Sequence, residues 1–397
     1  MNKKALILTP ILPYPPDDGS RLRPYQIINF LSNVCDVDLI SFYLPGEDID
    51  SAKRFYKSLC KNIFFLQQKK TDSSLISKLF VYSVSFDNKR EIIKIISENN
   101  YDLIIAEKII MLSYFNNDTF KAYRIVIDSW GIDSKISYQL FLEEENILKK
   151  LFCFVKYIRH FLAEIYFLSK CDYIIAITDE VYRFYKKFLK GKKLFLIPNA
   201  VDVNYYMPLN IEIEKGKIVF VGIMNFLPNI DAVYFFVRQI LPRLRGKVKF
   251  RFYIVGKNPS PEVFSLHNGS DVIVTGTVDD VRKYIYDCEL VVVPLRMGSG
   301  LRNKVIQAMA CGKCVVATKE ACEGLNVKDG ENILIADTPE EFVEKILMVF
   351  DNKNLRLKIE KNARKYVEDN FSYDIIKKKW IEFYEEILDN NNNRRQA

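Results

Sequence analysis

The chain has 397 residues, a length that suits two or three domains, and its 49% hydrophobic and 27% charged content excludes disorder, a collagen helix and a coiled-coil rod. Lys and Arg number 58 against 50 Asp and Glu, and this +8 is mostly local: residues 149–193 hold 11 basic and 4 acidic side chains. A diffuse basic balance gives no argument for nucleic acid, whereas a local one fits a membrane surface, an anionic substrate or a solvated face.

The apolar run from Ala5 stops at Pro10 with no h-region and cleavage site behind it. The reading is therefore a first strand and not a signal peptide. Short apolar runs then alternate with helical patterns. The strands predicted for the first half are Ala5–Thr9, Val37–Phe42, Ile63–Leu66, Leu103–Ala106, Ile125–Asp128, Tyr173–Ile177 and Leu194–Ile197. For the second half they are Ile218–Val221, Phe250–Val255, Val272–Thr275, Leu290–Val293, Val315–Thr318 and Ile333–Ile335. Continuous Val/Ile/Leu runs suit strands buried on both faces. Two such series imply an α/β protein of two doubly wound parallel-sheet domains. The expected division is 1–198 and 199–372, where Ile197-Pro198-Asn199 ends a strand with turn chemistry. A helix over 373–389 and a disordered tail over 390–397 follow.

The segment Ile147–Lys170 carries Leu148, Leu151, Phe152, Val155, Ile158, Phe161, Leu162, Ile165 and Phe167, spaced largely at three and four. Lys149, Lys150, Lys156 and Arg159 lie between them. This is an amphipathic helix. Its stripe suits either packing on a sheet or shallow docking on an anionic membrane. The charges make it a poor spanning helix. Eight Cys in a chain this long are no disulfide framework, and free thiols without an export signal point to the cytoplasm, with a peripheral position at the membrane's inner face as an option.

Three loops carry chemistry. The first strand runs into a loop rich in Pro that reaches Gly19 and a helix with Arg21 and Arg23, which reads as a helix-end phosphate site or as a capped surface loop. It lacks the tight Gly-x-Gly-x-x-Gly turn of a dinucleotide fingerprint. The strand ending at Val221 leads into Gly222, Met224 and the run Pro228-Asn229-Ile230-Asp231. The strand ending at Val293 leads into Gly298-Ser299-Gly300-Leu301-Arg302-Asn303-Lys304. There, glycines let a ligand approach the backbone, while Arg302 and Lys304 bring cations to a helix N-terminus. Loop amides, helix dipole and cations together suit a diphosphate.

From Gly222 to Gly330 the ordered motifs resemble a GT-B-fold, nucleotide-sugar-dependent glycosyltransferase of the group 1, or family 4, type. The branch is that of exopolysaccharide-associated sugar transferases. The motifs are Gly222-x-Met224-x-aromatic-x-Pro228-Asn229-x-Asp231-Ala232, Val255-Gly256, Thr275-Gly276-x-Val278, Pro294 to Lys304, Ala308-Met309-Ala310-x-Gly312, Glu323-Gly324-Leu325 and Asp329-Gly330. The resemblance covers nearly the whole chain in order, with a weaker match in the first half at the Gly19 region and Asp128–Ser134.

The resemblance implies two Rossmann-like domains facing a cleft and retention at the anomeric carbon. The acceptor, a glycan or a lipid-linked glycan, would lie mainly on the first domain and the nucleotide diphosphate sugar on the second. The helix over 373–389 would cross back to the first domain. Arg302 and Lys304 would neutralise the leaving diphosphate, with no metal and no further cofactor. Gly19, Gly222, Met224, Gly256, Gly276, Val278, Gly298, Ser299, Gly300, Leu301 and Gln307 would line the donor. Asp128, at a strand end, either faces the cleft as a catalytic group or is a turn residue.

Two positions depart from the family pattern. Gln307 stands where a Glu usually accepts from the ribose hydroxyls, so the contact survives without its charge. Met224 and Pro228 stand where many relatives place phosphate-gripping Arg and Lys. A non-catalytic nucleotide-sugar binder is the alternative this raises. A GT-B-fold epimerase is the other, and it needs acidic and His groups that the sequence does not place. Cys311-Gly312-Lys313-Cys314 has metal spacing but no second pair, so core thiols are expected. His160 and His267 are the two His residues, and neither falls in a motif.

Overall fold

A computed structural model describes residues 3–69, 82 and 84–389; the tail expected over 390–397 lies outside these. The chain divides into two compact units, Met1–Asn199 with Ile376–Ala397, and Ala200–Ile375.

The first unit holds a seven-stranded sheet of β1 (Lys4–Thr9), β2 (Asp36–Tyr43), β3 (Asn62–Gln67), β4 (Leu103–Glu107), β5 (Ile125–Ser129), β6 (Tyr173–Ala176) and β7 (Lys193–Leu196). Its order is β3-β2-β1-β4-β5-β6-β7, and every pair is parallel. The second unit holds β8 (Lys217–Val221), β9 (Arg251–Val255), β10 (Val272–Gly276), β11 (Leu290–Val293), β12 (Val315–Ala317) and β13 (Leu334–Ile335). Its order is β10-β9-β8-β11-β12-β13, again parallel throughout. Each predicted strand corresponds to one of these. The central strands are apolar on both faces because helices cover both sides of a parallel sheet: Leu6, Ile7, Leu39, Ile40, Ile104 and Ile105 are all fully buried.

Both sheets reverse direction of winding at their first strand. The reversal lies between β1 and β4 in one unit and between β8 and β11 in the other. In open α/β sheets the crevice at the carboxyl ends of those two strands is where ligands bind.

The helix Tyr373–Asp389 enters the first unit from Ile376 onward. Ile376, Trp380, Phe383 and Ile387 are buried. The Phe383 ring meets Phe195 edge-on at 4.7 Å, and Arg124 donates to the Ile387 carbonyl.

The stripe of the helix Ile147–Lys170 is largely exposed. Only Glu164 and Leu168 are buried along its 24 residues. Ile147, Leu148 and Phe152 are 82%, 79% and 69% exposed, and Leu151, Val155 and Leu162 also face solvent. Among the described residues the helix packs on the core through Ile165, Phe167 and Leu168, with the Phe161 ring edge-on to Phe184 and Phe188. The preceding helix, Asp133–Glu143, leans on it through the ring pairs Phe141–Phe154 at 5.3 Å and Tyr138–Tyr157 at 5.1 Å. Among the described residues no helix is long and apolar enough to cross a membrane.

Candidate active site

The reversal point of the second sheet gathers most of the residues singled out in the sequence. The backbone after β8 needs glycine for close approach. A Cβ on Gly256, at φ +145°, would lie 1.8 Å from the Gly222 carbonyl oxygen. A Cβ on Gly222 would lie 2.8 Å from Asn229 Nδ2 and 2.9 Å from Lys304 Nζ. Met224 turns into the core and is fully buried, its N–H donating to the Lys257 carbonyl at 2.8 Å. Gly276 ends β10 at φ +69°, with Val278 half-buried beyond it.

After β11 the chain turns through Gly298 (φ +134°) and Gly300 (φ +86°) into the helix Asn303–Ala310. Gly298, Gly300 and Leu301 are buried, while Ser299 and Gln307 are half-buried. Gln307 sits one turn beyond Lys304, so the two share a helix face. Arg302 caps the helix and has no acceptor to give its amides.

The two cations are held in different ways. Arg302 folds back on its loop: it donates to the Gly300 carbonyl at 2.8 Å and to Glu320 Oε1 at 3.1 Å, with Glu323 at 3.9 Å. Lys304 has no carboxylate within ion-pair distance among the described residues. Its Nζ donates to Asn229 Oδ1 at 2.6 Å and stands 4.3 Å from the centre of the Phe220 ring. Burial first, and the Arg302 charge second, pull the Lys304 ammonium down to about 7.

Asn229 and Asp231 carry roles that the sequence motif alone did not reveal. Asn229 also donates from Nδ2 to the Ile223 carbonyl at 2.9 Å. Asp231 accepts from Arg296 Nε at 3.0 Å. The helix after the first loop is thus tied to the second loop at two points.

The reversal point of the first sheet is built differently. Gly19 opens the helix Gly19–Leu31, but Asp18 Oδ1 accepts from the Ser20 and Arg21 amides at 2.9 and 3.1 Å. A carboxylate of the chain itself therefore occupies the amides a phosphate would need. Asp128 is fully buried, and both of its oxygens accept from Arg23, with Nε at 2.6 Å. Arg23 also donates to Asn199 Oδ1 at 2.8 Å and to the Ile197 carbonyl at 3.0 Å. Glu107, paired in register with Asp128, is fully buried, and its oxygens have no hydrogen-bond partner among the described residues. Burial, then the Asp128 charge, push its pKa well above the usual carboxylate value, which favours the protonated form.

The remaining candidates are structural. Cys311 and Cys314 are buried free thiols, Cys311 raised to about 12 by burial, and no cluster of metal-ligand residues occurs among the described residues. His267 Nδ1 accepts from the Val274 amide at 3.1 Å. His160 Nδ1 lies 3.3 Å from Ser137 Oγ.

Comparison with known proteins finds a family likeness in the second unit. Residues 215–352 match the family model for glycosyl transferases group 1. This segment is thus similar to group 1 glycosyltransferases. The chain as a whole is 23% identical over 382 residues to an "uncharacterized 44.6 kDa protein in cps region" of Klebsiella pneumoniae, covering 93% of this chain and 96% of that one. Among solved structures it is similar to the sucrose-phosphate synthase of Thermosynechococcus elongatus, with TM-score 0.73 and 14% identity, over 97% of this chain and 99% of that one. It is also similar to Anabaena HepE solved in complex with UDP-glucose, with TM-score 0.68 and 15% identity, over 96% and 99%. The fold is GT-B, with two parallel-sheet α/β units.

Proposed function

We propose that the protein transfers a sugar from a nucleotide diphosphate sugar to a hydroxyl of a surface-glycan or lipid-linked acceptor, with retention at the anomeric carbon. The observation that carries this reading is the pair Arg302 and Lys304 beside glycine-lined loops at the reversal point of a unit similar to group 1 glycosyltransferases. The bond from the anomeric carbon to the diphosphate breaks, and the acceptor oxygen bonds that carbon on the same face. The acceptor proton passes to the leaving phosphate oxygen. Lys304 and Arg302 stabilise the charge that develops there, the role a metal fills elsewhere. Gln307, one turn along, accepts from the ribose hydroxyls through its amide oxygen. The UDP-glucose bound by HepE and the cps region of the Klebsiella relative support the substrate class.

The exposed stripe of the helix Ile147–Lys170 is proposed as the membrane-docking face. Leu148, Leu151, Phe152 and Val155 would enter the headgroup boundary, while Lys149, Lys150, Lys156 and Arg159 meet anionic lipid. On this reading the enzyme works at the membrane's inner face, beside a lipid-linked acceptor.

A non-catalytic nucleotide-sugar binder is the second reading, favoured by Gln307 in the position of an acid. Titration with nucleotides and nucleotide sugars, followed by product detection with membrane extract as acceptor source, separates the two. Sugar turnover supports the enzyme; tight binding with no turnover on any acceptor supports the binder. Charge reversal at all four basic positions should release the protein from anionic vesicles, and unchanged co-sedimentation would remove the membrane proposal.

A further inference from the structure

Lys304 lies with its Nζ buried between the two loops of the second unit, where Asn229 accepts from it and the Phe220 ring stands 4.3 Å away. Asn229 Oδ1 accepts from Lys304 at 2.6 Å while Asn229 Nδ2 donates to the Ile223 carbonyl at 2.9 Å. Asn229 is itself buried, 6% exposed. It therefore fixes the ammonium against the loop that begins at Gly222, where the Cβ of any larger residue would sit 2.9 Å from Nζ. The neighbouring Arg302 is treated in the opposite way, with Glu320 at 3.1 Å and Glu323 at 3.9 Å. Of two cations two residues apart, one is neutralised by carboxylates and the other is held by an amide.

We propose that Asn229 is a positioning residue for the donor site: it aims Lys304 at the diphosphate without neutralising it, so that donor binding draws a proton onto Lys304. This rests on the functional reading above. An amide oxygen orients an ammonium as a carboxylate would, but adds no charge to hold its proton. The groups acting on Lys304 are Asn229, the Phe220 ring, Arg302 and, behind Arg302, Glu320 and Glu323. Burial and Arg302 oppose the charged form, which leaves the free ammonium poised at about 7. A diphosphate reverses that balance. Above pH 7 the free protein has lost the proton and the complex regains it, so affinity must fall as pH rises, by up to about tenfold per pH unit.

The test is calorimetric titration of the full chain with UDP, GDP, ADP and dTDP at pH 7.5–9, in buffers of different ionisation enthalpy. In this range a terminal phosphate has already lost its second proton, whose pKa is about 6. The nucleotide that binds wild type should take up part of a proton at pH 7.5. Asn229→Asp places a carboxylate on Lys304, so uptake should vanish and affinity should drop. Asn229→Ala should weaken binding by about tenfold, the scale of one lost hydrogen bond to a charged group. Nucleotide binding to wild type with no proton uptake, or equal uptake in Asn229→Asp, overturns the proposal and leaves the donor site standing. Wild-type affinity in Asn229→Ala also overturns it. Binding of none of the four nucleotides overturns the functional reading, and this inference with it.

Discussion

The two sheets reverse winding at equivalent points, and the chain furnishes those points in opposite ways. In the first unit the helix after β1 is capped by its own Asp18, and the cation that follows, Arg23, is locked on Asp128, Asn199 and Ile197. In the second unit the helix after β11 starts at a cap with no acceptor, glycines clear the space before it, and Lys304 is held by a neutral amide. One topology thus carries a closed ionic clasp at one point and the proposed donor site at the other. Function lies in the residues grafted onto the loops, and the strand order is indifferent to it.

Removing each cation in turn tests that contrast. Arg23→Ala leaves Asp128 buried and unpaired, which should cost about 3–5 kcal/mol in a denaturant melt. A melt unchanged from wild type would show that the clasp is no clasp. Lys304→Ala should cost little in stability yet cut transfer by roughly 10²-fold or more, and Arg302→Ala should do the same to transfer. Wild-type rates in either variant contradict the donor site.

Glu107 sharpens the description of the first unit. Its pKa is raised from 4.5, so folding favours its protonated form, and that contribution is lost as pH rises from about 4.5 toward the folded value. Glu107→Gln should therefore flatten the fall of stability with pH by up to about 1.4 kcal/mol per pH unit. Parallel pH profiles of variant and wild type would mean that Glu107 ionises without cost. The smallest effect belongs to the docking face proposed for the helix Ile147–Lys170. Lys149→Gln should weaken partition to anionic vesicles by about 1 kcal/mol, or roughly fivefold. No change in partition would remove Lys149 from that face.

Local features were legible in the sequence, and contacts made across the fold were not. Each strand of both sheets could be read, because burial on two faces writes a continuous apolar run into the chain. The loop from Gly298 to Lys304 could be read as a strand-to-helix turn because its glycines interrupt both patterns. The clasp could not: Arg23 and Asp128 are 105 positions apart, and nothing in either segment names the other. The acidic partners of Arg302 were hidden for the same reason, although Glu323 stood in a quoted motif. Pro228-Asn229-Ile230-Asp231 was visible as a pattern, yet its work is to tie one loop to another. The stripe of the helix Ile147–Lys170 showed its period but not its direction, since an apolar face reads alike whether it meets a sheet or a membrane. Glu107 gave no signal, because one Glu at a strand end is indistinguishable from a surface residue until its burial is known.

The most direct test of the account is a crystal structure of the protein grown with UDP-glucose. The account predicts the diphosphate between Gly222 and Gly298, with Lys304 Nζ within hydrogen-bond distance of a phosphate oxygen and Arg302 turned toward the other phosphate. A nucleotide bound elsewhere, or a diphosphate at this site that leaves Lys304 on Asn229 and Arg302 on Glu320, would contradict it.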